Sequence, residues 1–97
     1  MFNSIEEAKG FLEQRGFKID EKDDIYNIFP SVLPKNYPHG RNMHDGRLPV
    51  PLGCIHQYDK EYGICMNDVS MWANTPLFQR YFEQISNALE EYDMFSK

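Results

Sequence analysis

The stretch 53–72, GCIHQYDKEYGICMNDVSMW, decides the fold because it predicts a β-hairpin in the second half of the chain. Two short runs, 54–58 and 62–67, flank the polar turn 59–61, and Gly63 lies just beyond it. Two such runs around a short polar turn are typical of a hairpin. The stretch also carries both cysteines, one of the three histidines and the only tryptophan. Any thiol chemistry of the chain is therefore concentrated here.

Helical patterns lie at both ends of the chain. Ser4 and Glu7 form a capping box, and apolar residues at helical spacing predict a helix over 4–15 that ends at Gly16. Thr75 and Pro76 are typical helix-start residues and predict a second helix over 76–93. We expect the apolar stripe of this helix to be buried against a sheet; it consists of Phe78, Phe82, Ile85, Leu89 and Tyr92.

A first hairpin is predicted between the N-terminal helix and the middle of the chain. Phe17 and Ile19 alternate with Lys18, the turn 21–24 is charged, and a second run over 25–29 ends at Pro30. The resulting order is α-β-β-loop-β-β-α. It predicts a single α+β domain over 1–97: a two-layer sandwich of an antiparallel four-stranded sheet with the N- and C-terminal helices on one face.

The connection over 30–52 is long and rich in proline and glycine. It holds five of the six prolines, which remove backbone donors, and so we interpret it as a loop. Apolar residues within it, such as Tyr37 and Leu48, favour a loop that packs against the domain. Loops longer than about 12–15 residues in compact domains are commonly functional or disordered.

Charge and hydropathy limit the classes of function. The chain carries a net charge of −5, and so we expect no direct binding to nucleic acid, whose phosphates it would repel. No apolar run reaches the roughly 18 residues that cross a bilayer, and the N-terminus does not resemble a signal peptide. We therefore expect no membrane contact, a cytoplasmic location and reduced cysteines.

The register of the 53–72 hairpin decides whether a cluster of thiols and imidazole exists. We favour the register that places Cys54, His56 and Cys65 on one face, because it turns the aliphatic residues towards the helices. Thiolate and imidazole are zinc ligands, but paired spacings such as C-x-x-C are missing from the sequence. Nothing fixes a base and an orienting group near either thiol. We predict no catalytic residue, no metal and no cofactor.

The loop 38–47, PHGRNMHDGR, is the first candidate binding site because it is locally basic in an acidic chain. Arginine forks bind carboxylate or phosphate, and glycines let a backbone approach closely. The alternative, which we favour, is a surface loop whose arginines pair with neighbouring acids. The residues that would hold an anion are His39, Arg41, His44 and Arg47.

The acidic end of the C-terminal helix is the second candidate site. Four acidic residues lie outside the apolar stripe: Glu83, Glu90, Glu91 and Asp93. Near a helix C-terminus each negative charge costs about 0.3–1 kcal/mol when exposed, and an uncompensated cost can mark a functional surface. Such a surface suits a basic partner or a nucleic-acid-binding protein. The alternative is a solvated face that serves solubility.

The sequence favours a small non-enzymatic binding protein that acts through a protein partner, as a regulator, an inhibitor or an immunity-type protein. The many tyrosines and methionines fit this interpretation, because interfaces favour them. A homodimer is also compatible with the sequence. The alternative is a small-ligand or anion-binding domain that uses the 38–47 loop, with weak catalytic activity left open.

Overall fold

The computed structural model describes residues 2–42, 46–68 and 71–95 of the chain. The main sheet is antiparallel with the strand order β1-β2-β5-β6, and β3 pairs with β4 in a separate sheet. The predicted α+β fold, with a four-stranded antiparallel sheet and a helix at each end of the chain, is confirmed. The elements are α1 (Ile5–Glu13), β1 (Phe17–Lys22), β2 (Ile25–Pro30), β3 (His39–Asn42), β4 (Gly46–Pro49), β5 (Gly53–Tyr58), β6 (Glu61–Met66) and α2 (Pro76–Phe95).

Local signals in the sequence set the ends of several elements. The Ser4 hydroxyl accepts a hydrogen bond from the Glu7 N–H at 3.1 Å, as the capping box predicts. The Thr75 hydroxyl accepts one from the Phe78 N–H at 3.4 Å at the start of α2. Asp23 and Asp24 have φ angles of 54° and 64°, the left-handed conformation that a two-residue type I′ turn requires between β1 and β2.

One hydrophobic core lies between the helices and one face of the main sheet. The register pairs Ile19 with Ile28 and Ile55 with Ile64 on this inner face. The two helices contribute to the same cluster, and so both cover the same side of the sheet. Its fully or nearly fully buried members are Phe2, Ala8, Phe11, Leu12, Phe17, Ile28, Tyr37, Leu52, Ile55, Phe78 and Ile85.

The apolar stripe of α2 faces this core but is buried to different depths. Phe78 and Ile85 are buried, whereas Phe82, Leu89 and Tyr92 are only partly buried. The Tyr92 hydroxyl donates a hydrogen bond to the Glu7 carboxylate and so links the two helices. Among the described residues, no helix is long and apolar enough to cross a membrane.

The described parts of the connection over 30–52 pack against the domain, as the apolar residues of this stretch predict. The Tyr37 ring is buried, and its hydroxyl donates a hydrogen bond to the Val50 carbonyl. One feature of this stretch was not predicted from the sequence: β3 and β4 form a small hairpin within it. The four-residue strands contain glycine and proline, and so they carry little of the alternation that predicts a strand.

Candidate functional site

The main sheet has an outer face, which we define as the face opposite the two helices. Successive residues of a strand point to opposite faces, and so the register that turns Ile19 and Ile28 inward turns their neighbours outward. Phe29 lies on this outer face, yet its side chain is only 7% exposed. The outer face of β1 and β2 is formed by Lys18, Asp20, Lys22, Ile25, Asn27 and Phe29.

A groove with a volume of about 670 Å³ lies on the outer face, between β1 and β2 on one side and segment 48–51 on the other. Its apolar lining includes Phe29, Val50 and two residues that are large but accessible: Ile25 is 52% exposed and Leu48 38% exposed. Its polar lining carries both signs of charge, from Lys18, Asp20, Lys22 and Asp23, together with Asn27. Apolar lining with a few polar groups is typical of a binding site.

The groove borders the open edge of β1. In the part of the chain that the structure describes, β1 pairs only with β2. The Gly16 carbonyl accepts a hydrogen bond from the Ser31 N–H at 2.9 Å, and this bond fixes the alternation of backbone groups along β1. The even-numbered residues of β1 therefore direct their backbone N–H and C=O groups towards β2. Phe17, Ile19 and Glu21 direct their backbone N–H and C=O groups towards the open edge.

The acidic residues predicted as a partner-binding surface lie on the other side of the molecule, on α2. All four are exposed: Glu83, Glu90, Glu91 and Asp93. Residues seven apart share one helical face, and so Glu83 and Glu90 lie together on the face opposite the apolar stripe. Asp93 instead lines a smaller cavity of about 240 Å³ with Leu89 and Tyr92. The acids thus belong to more than one surface.

The residues predicted to bind an anion are partly brought together by the small sheet. Arg41 pairs directly with Arg47 in the backbone register of the small sheet, and His39 pairs with Pro49 two positions along. The His39 Nδ1 donates to the Tyr37 carbonyl at 2.9 Å, because that oxygen can only accept. His44 lies outside the described residues.

The favoured register of the β5–β6 hairpin is confirmed. Cys54 pairs with Cys65, and His56 pairs with Gly63 on the same outer face. Burial, and then the nearby Cys65, raise the pKa of the Cys54 thiol. The His56 ring lies against Tyr58, with 4.7 Å between ring centroids. Within residues 2–42, 46–68 and 71–95, no three His, Cys, Asp or Glu side chains lie close enough to hold a metal ion.

The groove was not predicted from the sequence. The groove exists because segment 48–51 returns across the outer face, and such a long-range path leaves no local pattern. One signal was present in β2, where the adjacent residues Ile28 and Phe29 are both apolar. Neighbouring apolar residues in a strand indicate that both sheet faces are covered.

Comparisons with protein-family models, with curated proteins and with solved structures gave no match for the chain.

Proposed function

We propose that the chain is a small non-enzymatic binding domain that acts through a protein partner. The groove and the β1 edge receive an extended segment of that partner. The observation that carries this proposal is the position of the groove, which borders a strand that pairs on one side only within the described residues. Adding a strand to such an edge is a common way of recognising an extended peptide.

Backbone hydrogen bonds would supply part of the affinity. Phe17, Ile19 and Glu21 each offer one donor and one acceptor towards the edge, and an added strand satisfies them in the usual ladder. Every second side chain of that strand lies on the outer face, spaced by roughly 6.5–7 Å. Long side chains at these positions would extend the contact from the edge into the groove beside Ile25 and Leu48.

The charges on the outer face of β1 would determine which partner segments bind. Lys18, Asp20 and Lys22 alternate in sign along this face. Like charges directly opposite each other destabilise a sheet and opposite charges stabilise it, by roughly 0.2–1 kcal/mol for each pair. Charged residues also keep unrelated strands off an open edge. The fitting partner segment therefore presents acid, base and acid opposite these three residues.

Selection of extended peptides from a displayed random library tests the proposal. We expect enriched peptides to alternate apolar and charged residues, and we expect Ile25→Asp to weaken their binding at least about tenfold, or about 1.4 kcal/mol. Val32→Asp is the matched control, since Val32 is 81% exposed and does not line the groove. No enrichment, or equal binding by both variants at equal thermal stability, would contradict the proposal.

Anion binding by the small sheet is a second candidate function, and the Arg41–Arg47 pairing favours it. Arginine side chains bind phosphate or carboxylate bidentately. Inorganic phosphate should then raise the melting temperature of the wild type but not of Arg47→Gln. Arg80→Gln, at an exposed position on α2, is the control and should keep the response. An unchanged wild-type melting temperature would rule this function out.

A further inference from the structure

Cys54 and Cys65 occupy directly opposite positions on β5 and β6. The hydrogen bond from the Asn67 N–H to the Leu52 carbonyl, at 2.9 Å, continues this ladder and makes the cysteine pair a hydrogen-bonded one. Such pairs have Cα atoms about 5.5 Å apart. Disulfides join Cα atoms that are about 4.4–6.8 Å apart. The Cα atoms are therefore at a bridging separation, and the Cβ atoms, about 5.5 Å apart in such a pair, must approach to about 3.5–4.5 Å for the bond to form.

The two thiols are both free and differ in accessibility. Cys65 is exposed, and Cys54 is partly buried beside it. Burial raises the pKa of the Cys54 thiol, and the neighbouring Cys65 raises it further, which indicates that the two groups interact. The exposed thiol meets a reagent from solution first, and the partly buried thiol is positioned to react with it afterwards.

We infer that Cys54 and Cys65 form a redox-active dithiol that closes to an intramolecular disulfide across the β5–β6 hairpin. This covalent modification site is independent of the proposed binding function. The groove is lined by neither cysteine, and the chemistry needs no partner protein.

Hydrogen peroxide is the oxidant that we name for the reaction. The Cys65 thiolate attacks one peroxide oxygen, the O–O bond breaks, and hydroxide leaves and is protonated to water. The product is a sulfenic acid, in which the sulfur has lost two electrons to the peroxide. The Cys54 thiolate then attacks that sulfur, the S–O bond breaks, and a second water leaves. Two thiols and one peroxide thus give one disulfide and two waters.

The intramolecular product is favoured over a disulfide between two chains. Groups tethered by a short connection meet at an effective concentration on the order of millimolar, far above micromolar protein. The turn at Asp59 and Lys60 closes the hairpin, and the register holds the two cysteines opposite each other. We therefore expect a monomeric oxidised product.

Oxidation of the purified protein with hydrogen peroxide, followed by alkylation and intact-mass measurement, tests the inference. We expect a monomer that has lost two hydrogen atoms, resists alkylation and regains both thiols with dithiothreitol. Cys54→Ser should stop at a sulfenic acid or a dimer. A wild-type product with independent oxygen adducts, or with a bond between two chains, would overturn the inference.

A displaced thiol gives a matched control for the register. Glu61→Cys in the Cys65→Ser background places the thiol opposite Tyr58, on the same strand and the same face. That position is four residues from the Cys65 site, or roughly 13 Å along the strand, which is too far for a disulfide with Cys54. Closure in this variant at the wild-type rate would show that the register does not direct the reaction.

Discussion

Gly53→Ala tests the closest backbone approach in the main sheet. A Cβ added at Gly53 would lie 3.1 Å from the Met66 Cα and 3.2 Å from the Cys65 carbonyl carbon. Its distance to the Cys65 carbonyl oxygen would be shorter than the contacts that Cβ atoms make in real proteins. All three atoms belong to the backbone of β6, and so no side chain can rotate away. The substitution must instead push β5 and β6 apart.

The loss of stability in Gly53→Ala follows from two opposing contributions. Overpacking a well-packed interior costs about 1–3 kcal/mol, and a clash with backbone belongs at the upper end of this range. Replacing glycine by alanine also lowers the conformational entropy of the unfolded chain, which offsets about 0.4–1 kcal/mol of that cost. We therefore expect Gly53→Ala to lower the free energy of unfolding by about 2 kcal/mol. For a domain of this size, the melting temperature should fall by about 8–16 °C.

Gly10→Ala is the matched control for this experiment. Gly10 lies inside α1, and an added Cβ there meets no atom within 4 Å. Replacing glycine by alanine inside a helix should stabilise the protein by about 0.5–1 kcal/mol. Denaturant unfolding followed by circular dichroism measures both variants on one scale. Equal stabilities, or a Gly53→Ala variant as stable as the wild type, would refute the close approach of β5 to β6.

Three further outcomes are expected. Phe78→Ala should lower the free energy of unfolding in urea by about 3–5 kcal/mol, because the Phe78 ring is fully buried. Phe82→Ala should lower it clearly less, because the Phe82 ring is only half-buried. Equal losses of stability in the two variants would contradict the packing of α2. Burial raises the pKa of Tyr37 above its ordinary value of 10.0, so the contribution of Tyr37 to the free energy of unfolding should stay level below that pH and fall above it. Tyr37→Phe should therefore make the alkaline fall in stability shallower, as thermal melts across pH would show. The double variant Glu90→Gln/Glu91→Gln should be as stable as the wild type or slightly more stable, since it removes negative charge near a helix C-terminus. A clear drop in its melting temperature would show that these acids stabilise the fold.

Short-range signals in the sequence predicted most of the fold. The Ser4 hydroxyl accepts from the Glu7 N–H and the Thr75 hydroxyl from the Phe78 N–H. Both bonds span three residues, and so the sequence alone indicates these helix starts. The register of β5 and β6 was predictable for a similar reason. A shift by one residue would turn Ile55 and Ile64 out of the core, and the alternation of the sequence opposes it.

Features that depend on distant packing could not be predicted in the same way. Helical spacing indicates that Phe78 and Phe82 share a face, but it does not indicate how far neighbouring elements reach over each ring. The β3–β4 hairpin and the return of segment 48–51 depend on contacts such as that of Tyr37 with Val50. The groove arises from this return, and so the candidate site moved from the acidic helix to the opposite side of the sheet.

Amide hydrogen exchange of β1, with and without a library-selected peptide, tests the central proposal most directly. A strand added to the open edge should slow exchange at Phe17, Ile19 and Glu21, whose N–H groups face that edge. The intervening amides of Lys18 and Asp20, which already bond towards β2, should change little. Slowed exchange confined to α2, with no alternation along β1, would contradict the proposed binding site.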